Sequence, residues 1–173
     1  MVPHIKKILY ATDLTVNSAY ASYFAADLAR THNAEIVILH CVEAISPWVY
    51  LGAAARNFPL FLQEEKERKV QEDMAEIKKR LQEFSLKTAS RFGPNPQNLV
   101  SEIIVTAGYP VEEILNVAST RECDIIVLGT HGKGLLKQTF LGSTARSVLE
   151  RSVKPVFIIP LPSDKACMRG EVL

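Results

Sequence analysis

Short, continuously apolar runs alternate along this chain with stretches in which apolar residues recur every three or four positions. Strands covered on both faces and helices covered on one produce that alternation, so it predicts an α/β domain with a mainly parallel sheet. Ile5 to Ala11 is expected as strand one. Asn17 to Thr31 follows as a helix with Tyr20, Phe24 and Leu28 at four-residue spacing. Glu35 to Val42 is strand two, with the unbroken apolar core Ile36-Val-Ile-Leu39. Leu99 to Thr106 is strand three, Gly108-Tyr-Pro110 a turn, and Pro110 the opening of a helix that faces inward through Val111, Ile114, Leu115 and Ala118. Asp124 to Gly129 is strand four, Ser143 to Arg151 a last helix, and Pro155 to Pro160 strand five.

The longest helix is predicted from Glu64 to Phe84, where Val70, Met74, Ile77, Leu81 and Phe84 form one apolar stripe. Glu64 with Arg68, Glu65 with Lys69 and Glu76 with Arg80 sit four apart on a solvated face. The stripe also fits a heptad seam, but two heptads are too few for a coiled coil, so packing on the sheet is expected. Ala44 to Pro59, with Trp48, Val49, Tyr50, Leu51 and Phe58, reads either as an insertion over the sheet edge or as an apolar cover near a ligand. Thr88 to Asn98 is a connection within one domain spanning 1–162, and 163–173 reads as a loose tail.

Composition narrows the function classes. At 173 residues the chain has the size of one domain. Its 20 basic and 19 acidic side chains leave a net charge of +1, so no global field draws it to nucleic acid or to an anionic membrane. Cys41, Cys123 and Cys167 show no disulfide or metal-ligand spacing, which fits a reducing compartment; Cys41 and Cys123 are expected in the core. No signal peptide is evident and no apolar run approaches the ~20 residues of a membrane helix, so a cytoplasmic location is expected.

The chemistry concentrates after strand four. Gly129-Thr-His-Gly132 is followed by Gly142-Ser143-Thr144 at the start of the last helix. Glycines permit close backbone approach, and free N–H groups at a helix start point toward an anion, so this is a candidate phosphate cradle. A flexible glycine loop would share the composition; the strand before and the helix after favour the cradle. No P-loop string occurs, and the dinucleotide fingerprint that begins at Gly132-Lys-Gly134 fails at Lys137. Asp13 follows predicted strand one, Cys41 lies at the end of strand two and Gly129 at the end of strand four, so the three share the carboxyl rim of the sheet, where ligands of open α/β sheets bind. Asp13 suits a ribose or base contact, and equally a turn or N-cap before the first helix. His40 is expected as a hydrogen-bonded core histidine.

The spacing Gly-x2-Gly-x9-Gly-Ser resembles the signature of the ATP-binding subset of the universal stress protein family. Lys6-Lys-Ile-Leu-Tyr-Ala-Thr-Asp13, His40-Cys41-Val42, Thr130-His-Gly-Lys133 and Lys154-Pro-Val-Phe-Ile-Ile159 match that family in order, over about residues 5–160. The resemblance implies a single-domain, Rossmann-like five-stranded parallel sheet of order 3-2-1-4-5, with helices on both faces. It implies an adenine nucleotide (ATP, ADP or AMP); any accompanying Mg²⁺ would be bound through the phosphates and would need no metal motif of its own. Ala11, Thr12 and Asp13 would line the nucleoside, the backbone of Cys41 and Val42 would read the adenine edge, and Gly129 would approach the ribose. Gly132, Gly142, Ser143 and Thr144 would hold phosphates, with His131 and Lys133 inside the cradle. Cys41 stands where the family usually has an aliphatic residue, and Ala11 where proline is frequent.

No nucleophile elbow, paired carboxylates or base beside the glycine loop is evident, so a regulatory stress-response role with slow or no hydrolysis is expected. The alternatives are an ATPase or nucleotidyl transferase using His131 or Asp13, and a dimeric interaction module with a structural nucleotide. Strand five, Val156-Phe157-Ile158-Ile159, is expected to pair across a two-fold axis in a homodimer, with neither membrane nor nucleic acid as a partner.

Overall fold

The computed structural model describes residues 4–43, 60–90, 99–130 and 141–160. Five strands, β1 (Lys7–Thr12), β2 (Glu35–Glu43), β3 (Val100–Gly108), β4 (Ile125–Gly129) and β5 (Val156–Ile159), form one sheet in the order β3-β2-β1-β4-β5. Every pairing is parallel, with β1 between β2 and β4. The helices are α1 (Val16–His32), α2 (Leu60–Ser90), α3 (Pro110–Thr120) and α4 (Ser143–Arg151).

Side-chain alternation splits the apolar runs into two cores, which is why the runs are unbroken. Ile8, Tyr10, Ile36, Ile38, Val127 and Ile159 meet α1 and α2 on one face. Leu9, Ala11, Val37, Leu39, Ile126 and Leu128 meet α3 and α4 on the other. On α3 the buried residues are Ile114, Val117 and Ala118, with Val111 and Leu115 partly buried beside them, close to the predicted face with Val117 added.

Three expectations change. The side of α1 that meets the sheet is made of Ala21, Ala25, Ala26 and Ala29, whereas Phe24 is exposed and Tyr20 and Leu28 are only partly buried. Small side chains let this helix lie close to the strands, and the larger residues pack around its flanks. The long helix runs from Leu60 to Ser90, beyond both predicted ends, so Thr88 to Ser90 are helical rather than connecting. Its stripe is anchored by Leu81 and Ile77, while Val70 is exposed. Arg80 pairs with Glu76 as expected; Arg68 lies 3.9 Å from Glu72, and the side chains of Glu64 and Glu65 fall outside the described residues. Finally, β2 and β3 reach Glu43 and Gly108, past the predicted ends, because Cys41, Val42 and Glu43 pair with Thr106, Ala107 and Gly108. The last helix, Ser143–Arg151, has its predicted ends, and the remaining strand and helix ends agree or shift by one or two residues. At the start of β1, Asp124 Oδ2 accepts from the N–H groups of Lys6 and Lys7 at 2.8 and 2.9 Å. Ala44–Pro59, the rest of the connection to Asn98, and the tail, Cys167 included, lie outside the described residues.

Cys123 is fully buried, and burial pushes its thiol up to about 11, so it is a core residue without reactive thiolate at neutral pH. At the end of α3, Glu122 adopts φ 53° while the Cys123 N–H donates to Ala118 O at 2.9 Å. A non-glycine residue in that left-handed conformation costs about 1–2 kcal/mol, of which glycine's greater unfolded-state freedom offsets roughly half. Glu122→Gly is therefore expected to stabilise the protein by ~0.5–1 kcal/mol, raising the thermal midpoint by about 2 °C. A lowered midpoint in calorimetry would mean that the Glu122 side chain contributes more than the strain costs.

Candidate functional site

The loop after β1 is held by a dense set of short polar contacts. The Thr12 hydroxyl donates to Ser18 Oγ at 2.9 Å and accepts from the Leu14 N–H at 3.1 Å. Tyr10, in the core, donates its phenol to Ser18 O at 2.5 Å, and burial holds that phenol protonated well above its usual range. Thr15 is the N-cap of α1, accepting from the Ser18 N–H at 3.4 Å. Leu14 is forced to φ 64°, an uncommon conformation for a branched side chain. His40 is buried, with Nδ1 2.8 Å from Thr12 O, so it braces β1 against β2 as a core histidine.

Asp13 sits at the centre of this loop and its two oxygens differ. Oδ1 accepts from the Thr15 N–H at 3.0 Å and from the Thr15 hydroxyl at 2.6 Å, an Asx turn leading into the cap. Oδ2 is buried and has no hydrogen-bond partner among the described residues. A buried carboxylate oxygen without a donor is costly to maintain, so it marks a place where a donor from beyond the described residues would be accommodated.

Across the switch point, β4 ends at Gly129, opposite Ile159 of β5. Thr130 then donates its N–H to Ile159 O at 3.0 Å and accepts from the Gly142 N–H at 2.7 Å. The chain thus leaves and rejoins the sheet rim at one clasp. Gly142 is the N-cap of α4 and makes no side-chain cap bond; the first turn closes with the Arg146 N–H on Gly142 O at 2.9 Å. The N–H groups of Ser143, Thr144 and Ala145 precede that bond and lack partners within the helix, as at any helix start, and they carry the positive end of its dipole. Gly142 has φ −64°, a conformation open to any residue. The backbone conformation at Gly142 therefore does not itself require glycine.

The structure brings Ala11, Thr12, Asp13, Cys41, Val42, Gly129, Gly142, Ser143 and Thr144 to the carboxyl rim of the sheet. Thr12 positions the loop, since its hydroxyl is engaged internally. Cys41 is half-buried, with Sγ 3.5 Å from Gly108 O. His131, Gly132 and Lys133 lie outside the described residues. Thr15, Ser18 and Thr130 were missed from the sequence; the string Asp13-x-Thr15 is a turn-and-cap signal that points to the first of them. Among the described residues no three His, Cys, Asp or Glu side chains converge as metal ligands, and no helix is long and apolar enough to cross a membrane. An apolar hollow lined by Ala25, Ile36, Phe84, Leu99 and Val100 lies at the amino-terminal end of the sheet, away from this rim.

Residues 4–160 match the universal stress protein family. The chain is 30% identical over 165 residues to universal stress protein MJ0577 of Methanocaldococcus jannaschii, a match covering 89% of this chain and 94% of that one. A solved structure of MJ0577 superposes with a TM-score of 0.72 at 24% identity, covering 94% of this chain and all (100%) of that one. A universal stress protein solved in complex with cAMP superposes with a TM-score of 0.55 at 20% identity, covering 91% of this chain and 98% of that one.

Proposed function

Because this chain belongs to the universal stress protein family, we propose that it is an adenine-nucleotide-binding regulatory protein whose ligand lies across the rim between Asp13 and the start of α4. The observation that carries this reading is the buried, unpartnered Oδ2 of Asp13, which faces no donor among the described residues. Ribose hydroxyls or a base amino group would supply that donor. Open N–H groups at α4, beside the hydroxyls of Ser143 and Thr144, suit the phosphates. A protein of this fold has been solved with cAMP, so the fold accommodates an adenine nucleotide. Backbone around Cys41 and Val42 would take the base, with His131, Gly132 and Lys133 completing the phosphate side. Mg²⁺ would be held chiefly through phosphate oxygens, which is its ordinary habit at such sites.

Calorimetric titration with ATP, adenosine and tripolyphosphate tests the reading, with phosphate release measured alongside to separate a binding protein from an ATPase. Gly142→Val places a branched side chain where phosphate would approach the helix start. It is expected to weaken ATP about tenfold or more and to leave adenosine within about twofold, the tenfold loss corresponding to ~1.4 kcal/mol. Unchanged ATP affinity in a variant folded by circular dichroism would remove phosphate from the start of α4.

A further inference from the structure

Besides Asp13 Oδ2, the described residues contain one other buried side-chain oxygen without a hydrogen-bond partner, Oγ1 of Thr106. The two are related by the sheet. Thr12 of β1 pairs with His40 of β2, and Cys41 of β2 pairs with Thr106 of β3. One step past Thr12, Asp13 therefore falls in the same transverse row as Cys41 and Thr106. Leu39 and Ile104 belong to the core under α3 and α4, so two residues farther on Cys41 and Thr106 point to that same face. Adjacent strands lie about 4.8 Å apart, which sets Asp13 and Thr106 about 10 Å from one another across the half-buried Cys41. That span is comparable with the length of a nucleoside, from sugar hydroxyls to the far edge of the base.

An orphaned threonine hydroxyl on a strand is unexpected on general grounds. A threonine in a sheet usually satisfies its hydroxyl through solvent or a neighbouring carbonyl, and burying it unpaired lowers stability. Valine has the same shape and the same preference for strands without that cost. The hydroxyl therefore has the signature of a group kept for a partner that the described residues do not supply, at the rim where the nucleotide reading puts the base. Cys41 between the two oxygens offers a small, weakly polar floor for a flat ring.

We propose that Thr106 is a second ligand-contacting residue, hydrogen-bonding the base of a nucleoside whose sugar is held by Asp13. The inference rests on the nucleotide reading above and adds a specific contact from β3, a strand that contributes nothing else to that reading. A hydroxyl both donates and accepts, so it can pair with a ring nitrogen or with an exocyclic group.

The test uses Thr106→Val and Thr106→Ser in the full chain, titrated with adenosine, ATP and tripolyphosphate, together with the thermal midpoint of the ligand-free protein. Thr106→Val is expected to weaken adenosine and ATP alike by about tenfold, the usual size of one buried hydrogen bond, without affecting tripolyphosphate. Thr106→Ser should stay within about twofold of the wild type, since the hydroxyl is retained. The ligand-free midpoint of Thr106→Val should be unchanged or higher, because an unpaired buried hydroxyl is replaced by a methyl group of like shape. Wild-type adenosine affinity in Thr106→Val would overturn this contact and leave the nucleotide reading intact. Failure of the wild type to bind adenosine or ATP would overturn both. A midpoint lowered by several degrees in Thr106→Val would assign the hydroxyl a structural partner and overturn the contact.

Discussion

Asp13→Asn is expected to weaken ATP and adenosine by the same factor, roughly 30- to 100-fold, in line with the ~2–3 kcal/mol of a hydrogen bond to a charged acceptor. Asparagine keeps one oxygen, and the turn decides where it goes. The Thr15 N–H needs an acceptor at the position of Oδ1, so the amide oxygen stays there and the NH₂ takes the place of Oδ2. Oδ2 then changes from acceptor to donor against a ligand donor, while the N-cap of α1 persists. Asp13→Ala removes both functions, and should show the same binding loss together with a lower thermal midpoint from the broken Asx turn. Calorimetry on both variants with both ligands is decisive. Loss of ATP with adenosine unaffected would move Asp13 to the phosphate side; no loss with either ligand would reduce it to a turn residue.

The second large effect concerns assembly. Among the described residues β5 is an edge strand that pairs with β4 alone, and a free edge of this kind favours pairing with a second copy. We propose a homodimer through Val156, Phe157, Ile158 and Ile159. The structure separates the side chains that could mediate it. Ile159 is buried in the core under α1, and Ile158 and Val156 pack into the core under α3 and α4. Phe157 is 38% exposed and meets Phe24 edge to face at 6.2 Å between ring centroids, leaving apolar surface beside the free edge. Phe157→Glu would place a charge at a contact made twice about a two-fold axis, raising the dimer dissociation constant at least about a hundredfold, ~3 kcal/mol. Ile158→Glu would instead injure the fold, and so discriminates poorly. Light scattering at micromolar concentration, with circular dichroism as the folding control, reads the outcome. A monomeric wild type, or dimers that survive Phe157→Glu with the fold intact, would overturn the edge-pairing model.

The strands were legible because each is a continuous apolar run between breakers, and a doubly covered parallel strand has little other way to be written. Helix faces were harder. The four-residue spacing of Tyr20, Phe24 and Leu28 advertised a large apolar stripe, yet the sheet accepted the alanines beside it, since hydrophobicity alone does not show how closely a helix approaches. The far end of α2 was hidden because Ser85, Thr88 and Ser90 read as connecting residues, yet the helix continues through them to Ser90. At the site, two readings of Asp13 that looked exclusive in the sequence concern different oxygens of one carboxylate: the turn uses Oδ1, and Oδ2 is left over. Thr106 carried no signal at all. Its relation to Asp13 exists only through the register of β1, β2 and β3, and register across parallel strands separated by helices is not a local property of the chain.

The 2.7 Å bond from the Gly142 N–H to Thr130 O has a bearing on how such a protein can diversify. Both ends of the intervening stretch are fixed by that bond and by the Thr130 N–H on Ile159 O, and the sheet and α4 on either side obtain their packing elsewhere. The entropy of joining two fixed points grows only logarithmically with the number of residues between them, about 0.6 kcal/mol for each doubling, so sequences of quite different length could join Thr130 to Gly142 at little cost to the fold. On the nucleotide reading proposed above, the phosphate side would tolerate exchange of the sequence between those two fixed points, whereas the nucleoside side, built into strands and an Asx turn, would change only one residue at a time.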